Sequence, residues 1–148
     1  MTIAIDFDGT LVEHKYPEIG KEIPFAFETL RRLQQDRHRL ILWTVREGRL
    51  LDEALAFCRE RGIEFYAVNR DYPEEEKGAN RHYSRKLKAD LFIDDRNLGG
   101  LPDWGTIYEM VTQKLSYEDL MRKYEAESYY EAPKKKGFFA ALFERKKV

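Results

Sequence analysis

Apolar positions fall in short blocks separated by polar turns, and their period changes from block to block. Thr2-Ile3-Ala4-Ile5 is a brief apolar run that stops at Asp6, the pattern of a strand buried on both faces. From Pro24 to Asp36, Ala26, Phe27, Leu30 and Leu33 recur at helical spacing, with Pro24 suited to the first turn. Arg39 to Thr44 returns to a continuous apolar run. Leu50 to Arg61 carries Leu51, Ala54, Leu55 and Cys58 on one face, and Gly62 is placed to end that helix. Ile63 to Val68 and Ala89 to Ile93 read as two more strands. Asp103 to Lys114 returns to helical phase through Trp104, Ile107, Tyr108 and Val111, with Leu115 following. Ser116 with Asp119 forms a variant capping box that opens a last helix, whose packed face would be Tyr117, Leu120, Met121 and Tyr124. Four strands alternating with helices predict an α/β fold with a doubly wound, mostly parallel sheet.

Candidate chemistry gathers at the ends of these strands. Asp6 and Asp8 lie two apart, so a strand's period of two puts both carboxylates on one side. Gly9 follows, where the backbone turns sharply or approaches a ligand closely. Asp94 and Asp95 end the last strand. Ligands of open α/β sheets collect at the carboxyl ends of the strands, so parallel neighbours would bring four carboxylates together. Such a cluster needs a cation, and hard oxygen ligands point to Mg²⁺. Thr44 ends the second strand, where its hydroxyl is placed to meet a phosphate oxygen or simply to serve as a β-branched edge residue. Arg46, in the following turn, is either a bidentate phosphate or substrate contact or an exposed arginine. Asn69 ends the third strand, facing the site or solvent.

Asp6-Phe7-Asp8-Gly9-Thr10, the strand Leu40-Ile41-Leu42-Trp43-Thr44, a lysine shortly before the fourth strand, and Asp94-Asp95 together resemble the four motifs of the haloacid dehalogenase (HAD) superfamily. The resemblance covers about residues 1 to 100, in the family's order. It implies the HAD Rossmann-like core and hydrolysis of a phosphate monoester. Asp6 would be the nucleophile that becomes an aspartyl-phosphate, and Asp8 the general acid and base. Mg²⁺ would be held by Asp6, the Asp8 backbone carbonyl and Asp94, with Asp95 direct or through water. Thr44 and Lys86 would bind the phosphoryl oxygens, with Lys88 the alternative lysine. Asp at position 8 favours phosphatase over dehalogenase chemistry. Neither Leu11 to Ile23 nor the charged Asp71 to Arg85 loop has room for a cap domain, so a capless core is expected.

Composition refines this picture in three places. The chain is 148 residues long and 43% apolar, enough for one domain with a core. The single cysteine, Cys58, allows no internal disulfide and lies on a core-facing stripe. His82 has no second His or Cys at metal spacing and reads as a solvated loop residue. The formal charge of −1 conceals an asymmetry: six Lys/Arg against one Glu make residues 133–148 net +5 and leave −6 on the rest. With Phe138, Phe139 and Phe143 at its centre, that basic tail is compatible with a membrane surface, a nucleic acid, a partner subunit or a solvated terminus.

The expected organisation is a catalytic core over 1–115, a helix over 116–132 and the tail over 133–148. Asp6 and Asp8 interrupt the N-terminal apolar run, so no signal peptide is read there, and no run reaches the roughly 18 apolar residues of a membrane span. A cytoplasmic protein is expected. The partner is a phosphorylated substrate, large if the open site stands alone, small if a second copy of the chain covers it. A binding or scaffold protein that has kept the fold but little catalysis is the competing expectation, with the tail as its targeting element.

Overall fold

The structure, a computed structural model, describes residues 1–75 and 84–131. His82 and the 133–148 tail lie outside the described residues. The chain divides into two compact units, Met1–Tyr108 and Glu109–Val148.

The first unit is a parallel sheet flanked by helices, a Rossmann-like core. Its strands are β1 (Thr2–Ile5), β2 (Arg39–Leu42), β3 (Ala67–Val68) and β4 (Leu91–Ile93). They lie in the order β3-β2-β1-β4, all parallel. The chain therefore steps outward from β1 to β2 to β3, then returns to the far side of β1 for β4. That reversal at β1 is the switch point at which open α/β sheets form a crevice. The register puts Ile5 level with Leu42 on one side and Ile93 on the other. Pairing continues one residue past each strand: Asp6 N donates to Ile93 O (3.0 Å) and Trp43 N to Ile5 O (2.8 Å). Asp6, Trp43 and Asp94 thus emerge side by side at one edge.

Burial follows the apolar pattern. Ile3, Ala4 and Ile5 are sealed on both faces, as a central strand requires. The helix α1 (Ala26–Gln35) buries Ala26, Phe27, Leu30 and Leu33. It starts two residues later than Pro24, because exposed Phe25 takes a left-handed φ of 65° that a helix cannot continue. The helix α2 (Gly48–Glu60) buries Ala54 and Cys58, with Leu51 and Leu55 half-buried, and Gly62 at φ 77° follows its end. Burial pushes the Cys58 thiol up to about 12, as expected of a packing residue. The strand expected over 63–68 pairs regularly only at Ala67–Val68, since at the sheet edge it meets β2 alone. No helix is described between β3 and β4.

Asp103 opens α3 (Trp104–Gln113) by accepting from Thr106 N (3.0 Å) and Thr106 Oγ1 (2.6 Å), contacts that hold its carboxyl below the usual range. Trp104 is fully buried, and its Nε1 donates to Thr10 O (3.1 Å). In the second unit, α4 (Tyr117–Glu131) begins with the expected capping box: Asp119 N donates to Ser116 Oγ (3.1 Å) and Ser116 N to Asp119 Oδ2 (3.0 Å). Its face differs from expectation. Leu120 is buried, whereas Tyr117, Met121 and Tyr124 are exposed, so the aromatic stripe is not core. No helix among the described residues is long and apolar enough to cross a membrane.

Trp104→Ala removes a fully buried ring and an indole hydrogen bond, and is expected to cost about 3–5 kcal/mol in urea unfolding. Tyr117→Ala on the exposed stripe is expected to stay within about 0.5 kcal/mol.

Candidate functional site

The loop after β1 is built to hold its side chains apart. Phe7 is sealed in the core. Its carbonyl accepts from Leu11 N (3.0 Å) and Val12 N (3.2 Å), and Gly9 N donates to Val12 O (2.7 Å). Asp6 and Asp8, on either side of Phe7, both line one cavity of about 380 Å³. Gly9 has φ +89°, and a Cβ there would stand 2.3 Å from Asp95 Oδ2. The close approach anticipated at Gly9 is therefore to a carboxylate of the protein itself. Thr10 completes the junction: its Oγ1 accepts from Asp95 N (3.1 Å), while its carbonyl takes the Trp104 indole.

Three carboxylates meet across the β1–β4 crevice. Asp6, Asp94 and Asp95 each offer an oxygen, and the three oxygens lie within 4.8 Å of one another. Burial, and then the charges of Asp94, Asp95 and Asp8, push Asp6 up to about 7, against a hydrogen bond from the Phe7 backbone that lowers it. Asp95 Oδ1 is buried with no hydrogen-bond partner, the one such side-chain atom among the described residues. A buried acceptor left unpaired costs roughly 1–3 kcal/mol, more when charged. An oxygen-only cluster with an unsatisfied anionic atom fits a hard divalent cation.

The fourth carboxylate, expected in the same cluster, is occupied elsewhere. Asp8 Oδ2 accepts from Arg46 Nε (2.7 Å) and Oδ1 from Arg46 Nη2 (2.6 Å), a bidentate pair with both residues buried. Arg46 also donates from Nη1 to Pro17 O (3.0 Å) and from Nη2 to Glu18 O (2.8 Å). Its guanidinium carbon lies 5.0 Å from the Phe7 ring centre and 5.4 Å from that of Tyr16. With 1% exposure, Arg46 is neither the exposed arginine nor, in this arrangement, a free phosphate contact. It fastens a flap whose base is closed by Glu13 N to Lys21 O (2.7 Å) and Ile23 N to Leu11 O (2.9 Å).

The other sequence candidates separate into two groups. Thr44 lines the cavity, and its Oγ1 accepts from Arg46 N (3.2 Å). Asn69 does not line it. It stands at φ 53°, and its Oδ1 accepts from Thr44 N (2.8 Å), so it supports Thr44 from behind. Neither lysine lines the cavity. Lys86 Nζ is 6.0 Å from the Phe92 ring centre, and Phe92 in turn meets the Trp43 ring edge-on at 5.1 Å. Lys88 is exposed and its backbone N donates to Asp71 Oδ1 (2.7 Å).

The cation beside the carboxylates is Arg96, which sequence reasoning passed over. It lines the cavity with His14, its Nη2 is 3.2 Å from His14 Nε2, and its backbone N donates to Asp94 Oδ1 (2.8 Å). Its position directly after Asp94-Asp95 was the available signal.

Two outcomes follow from this geometry. Arg46→Met strands a buried Asp8 carboxylate and is expected to cost about 3–5 kcal/mol in denaturant unfolding, much of it recovered in the double variant Arg46→Met/Asp8→Leu. Between pH 3.8, the ordinary value for Asp, and about 7, native Asp6 keeps a proton that the unfolded chain has lost. The metal-free protein is therefore expected to lose thermal stability as pH rises through that window, and Asp6→Asn to flatten the loss.

No family model and no curated protein matches the chain. Among solved structures it is similar to a conserved protein coded by a locus of Bacteroides thetaiotaomicron. The two are 69% identical, the match covers 81% of this chain and 96% of the other, and the TM-score is 0.75. Identity at that level over nearly the whole of the other chain settles the relationship: this chain belongs to the family of that conserved Bacteroides thetaiotaomicron protein.

Proposed function

We propose that this chain is a Mg²⁺-dependent phosphohydrolase of the haloacid dehalogenase superfamily, acting on a phosphate monoester through an aspartyl-phosphate. The observation that carries the reading is the trio Asp6, Asp94 and Asp95 at the β1–β4 switch point, with Asp95 Oδ1 buried and unpaired. The four-motif resemblance supplies the roles. Between Leu11 and Ile23 the chain makes only a short flap, in keeping with a capless member.

Asp6, Asp94 and Asp95 would hold Mg²⁺, which when bound neutralises the carboxylates and polarises the phosphoryl oxygens. An Asp6 oxygen attacks phosphorus as the bond to the substrate alcohol breaks, and Asp8 gives the departing oxygen a proton. Asp8 then takes a proton from water, whose oxygen displaces Asp6 and releases phosphate. Both Asp8 oxygens accept from Arg46, so the proton that Asp8 gives and takes sits on a lone pair that the guanidinium leaves free. Thr44 Oγ1 and Arg96 face the cavity as donors for phosphoryl oxygens, the part that the resemblance gives to Thr44 and Lys86.

Hydrolysis of an aryl and an alkyl phosphate, with and without Mg²⁺, tests the reading. Turnover is expected to need Mg²⁺ and to vanish in Asp6→Asn. Asp8→Asn is expected to lower kcat by about 10²–10⁴, more on the alkyl ester, whose leaving group needs the proton. Full activity in Asp6→Asn would sink the proposal.

A further inference from the structure

The cavity that holds the carboxylates has a second character. Beside the carboxylates and the polar His14, Thr44 and Arg96, it is lined by Tyr16, Trp43 and Val45. Val45 is 77% exposed and Tyr16 48% exposed, so apolar surface faces water directly beside a cluster of charges. These groups come from two segments, the flap after β1 and the turn after β2, so the surface does not belong to one stretch of chain. Each ring is also backed by the protein. Tyr16 lies against the buried Arg46 guanidinium, itself fixed by four hydrogen bonds. Trp43 is held edge-on by Phe92 at 5.1 Å. Rings already held in place lose little freedom when a ligand contacts them, which is the economy of a preorganised site.

We infer that the organic part of the substrate carries a flat ring, held against Trp43 and Tyr16 while its phosphate reaches Asp6. The inference rests on the phosphohydrolase reading for the phosphate end and on the walls for the ring. Of the polar lining, Thr44 and Arg96 serve the phosphate in the proposed reaction and His14 stands against Arg96, so the surface left for the organic part is the rings of Tyr16 and Trp43 and the side chain of Val45. A volume of about 380 Å³ lies within the size range of small-molecule sites.

The test compares adenosine 5′-monophosphate with ribose 5-phosphate. Both release a primary alcohol from the same sugar carbon, so their difference reports the ring and not the leaving group. The nucleotide is expected to have a kcat/KM about ten- to a hundred-fold higher, the range of a stacking contact. Trp43→Ala is expected to bring the ratio toward one, and Trp43→Phe, which keeps a ring face, to retain most of it. Equal kcat/KM in the wild type overturns the ring site while leaving the phosphohydrolase standing. If neither ester turns over, titration calorimetry in Mg²⁺ reads the same ratio as affinities, and the phosphohydrolase reading is judged on its own assay. Tighter nucleotide binding that Trp43→Ala abolishes then sustains the ring site, and equal or absent binding overturns it.

Discussion

The buried pair between Asp8 and Arg46 is the constraint on which the arrangement of the first unit depends. Asp8 stands in the loop after β1 and Arg46 in the turn after β2, so the pair joins the carboxyl ends of two neighbouring strands. The remaining guanidinium donors take the Pro17 and Glu18 carbonyls, which brings in the flap. Three segments distant in sequence thus share one cation. Removing two charges from water is expensive, and a buried pair is weak evidence for net stability. What it supplies here is a shared anchor: the Asp8 carboxylate and the Pro17 and Glu18 carbonyls are satisfied by one guanidinium.

The pair also divides the labour among four acids. Asp8 has a permanent counter-charge and can be buried. Asp6, Asp94 and Asp95 have no such buried bidentate partner among the described residues; burial and their mutual charge push the Asp6 carboxyl up to about 7, and one Asp95 oxygen is left unpaired. The Gly9 backbone and the Thr10 hydroxyl bring Asp95 close to the β1 loop despite this repulsion. Such a cluster is held by its scaffold and does not hold itself together.

What could be read in the sequence was whatever depends on neighbours along the chain. The apolar run of β1, the helical phase of α1 and α2, the Ser116–Asp119 cap and the emergence of Asp6 and Asp94 at strand ends are local patterns. The partner of Arg46 was not local. Thirty-eight positions separate it from Asp8, and an arginine after a strand looks the same whether it will meet solvent, phosphate or a buried carboxylate. The placement of Lys86 is likewise a matter of tertiary structure: it lies against Phe92, while Arg96 lines the cavity. Phe25 and the exposed face of α4 departed from pattern for a related reason. Periodicity reports which residues share a face, and tertiary placement decides whether that face is covered.

The place of β4 in the sheet bears on how the molecule is made. β1, α1, β2, α2 and β3 follow one another and pair with near neighbours, so they can consolidate as synthesis proceeds from the N-terminus. β4 joins the opposite edge of β1 after the rest of the sheet has formed, and closing so long a loop is entropically the slowest kind of pairing. Asp6 is translated early and Asp94 about ninety positions later. Until β4 docks, the nascent chain carries three of the four strands, with the outer edge of β1 bare and an incomplete set of carboxylates. The trio Asp6, Asp94 and Asp95 is therefore complete only at the closing step of folding, when that edge of β1 is covered.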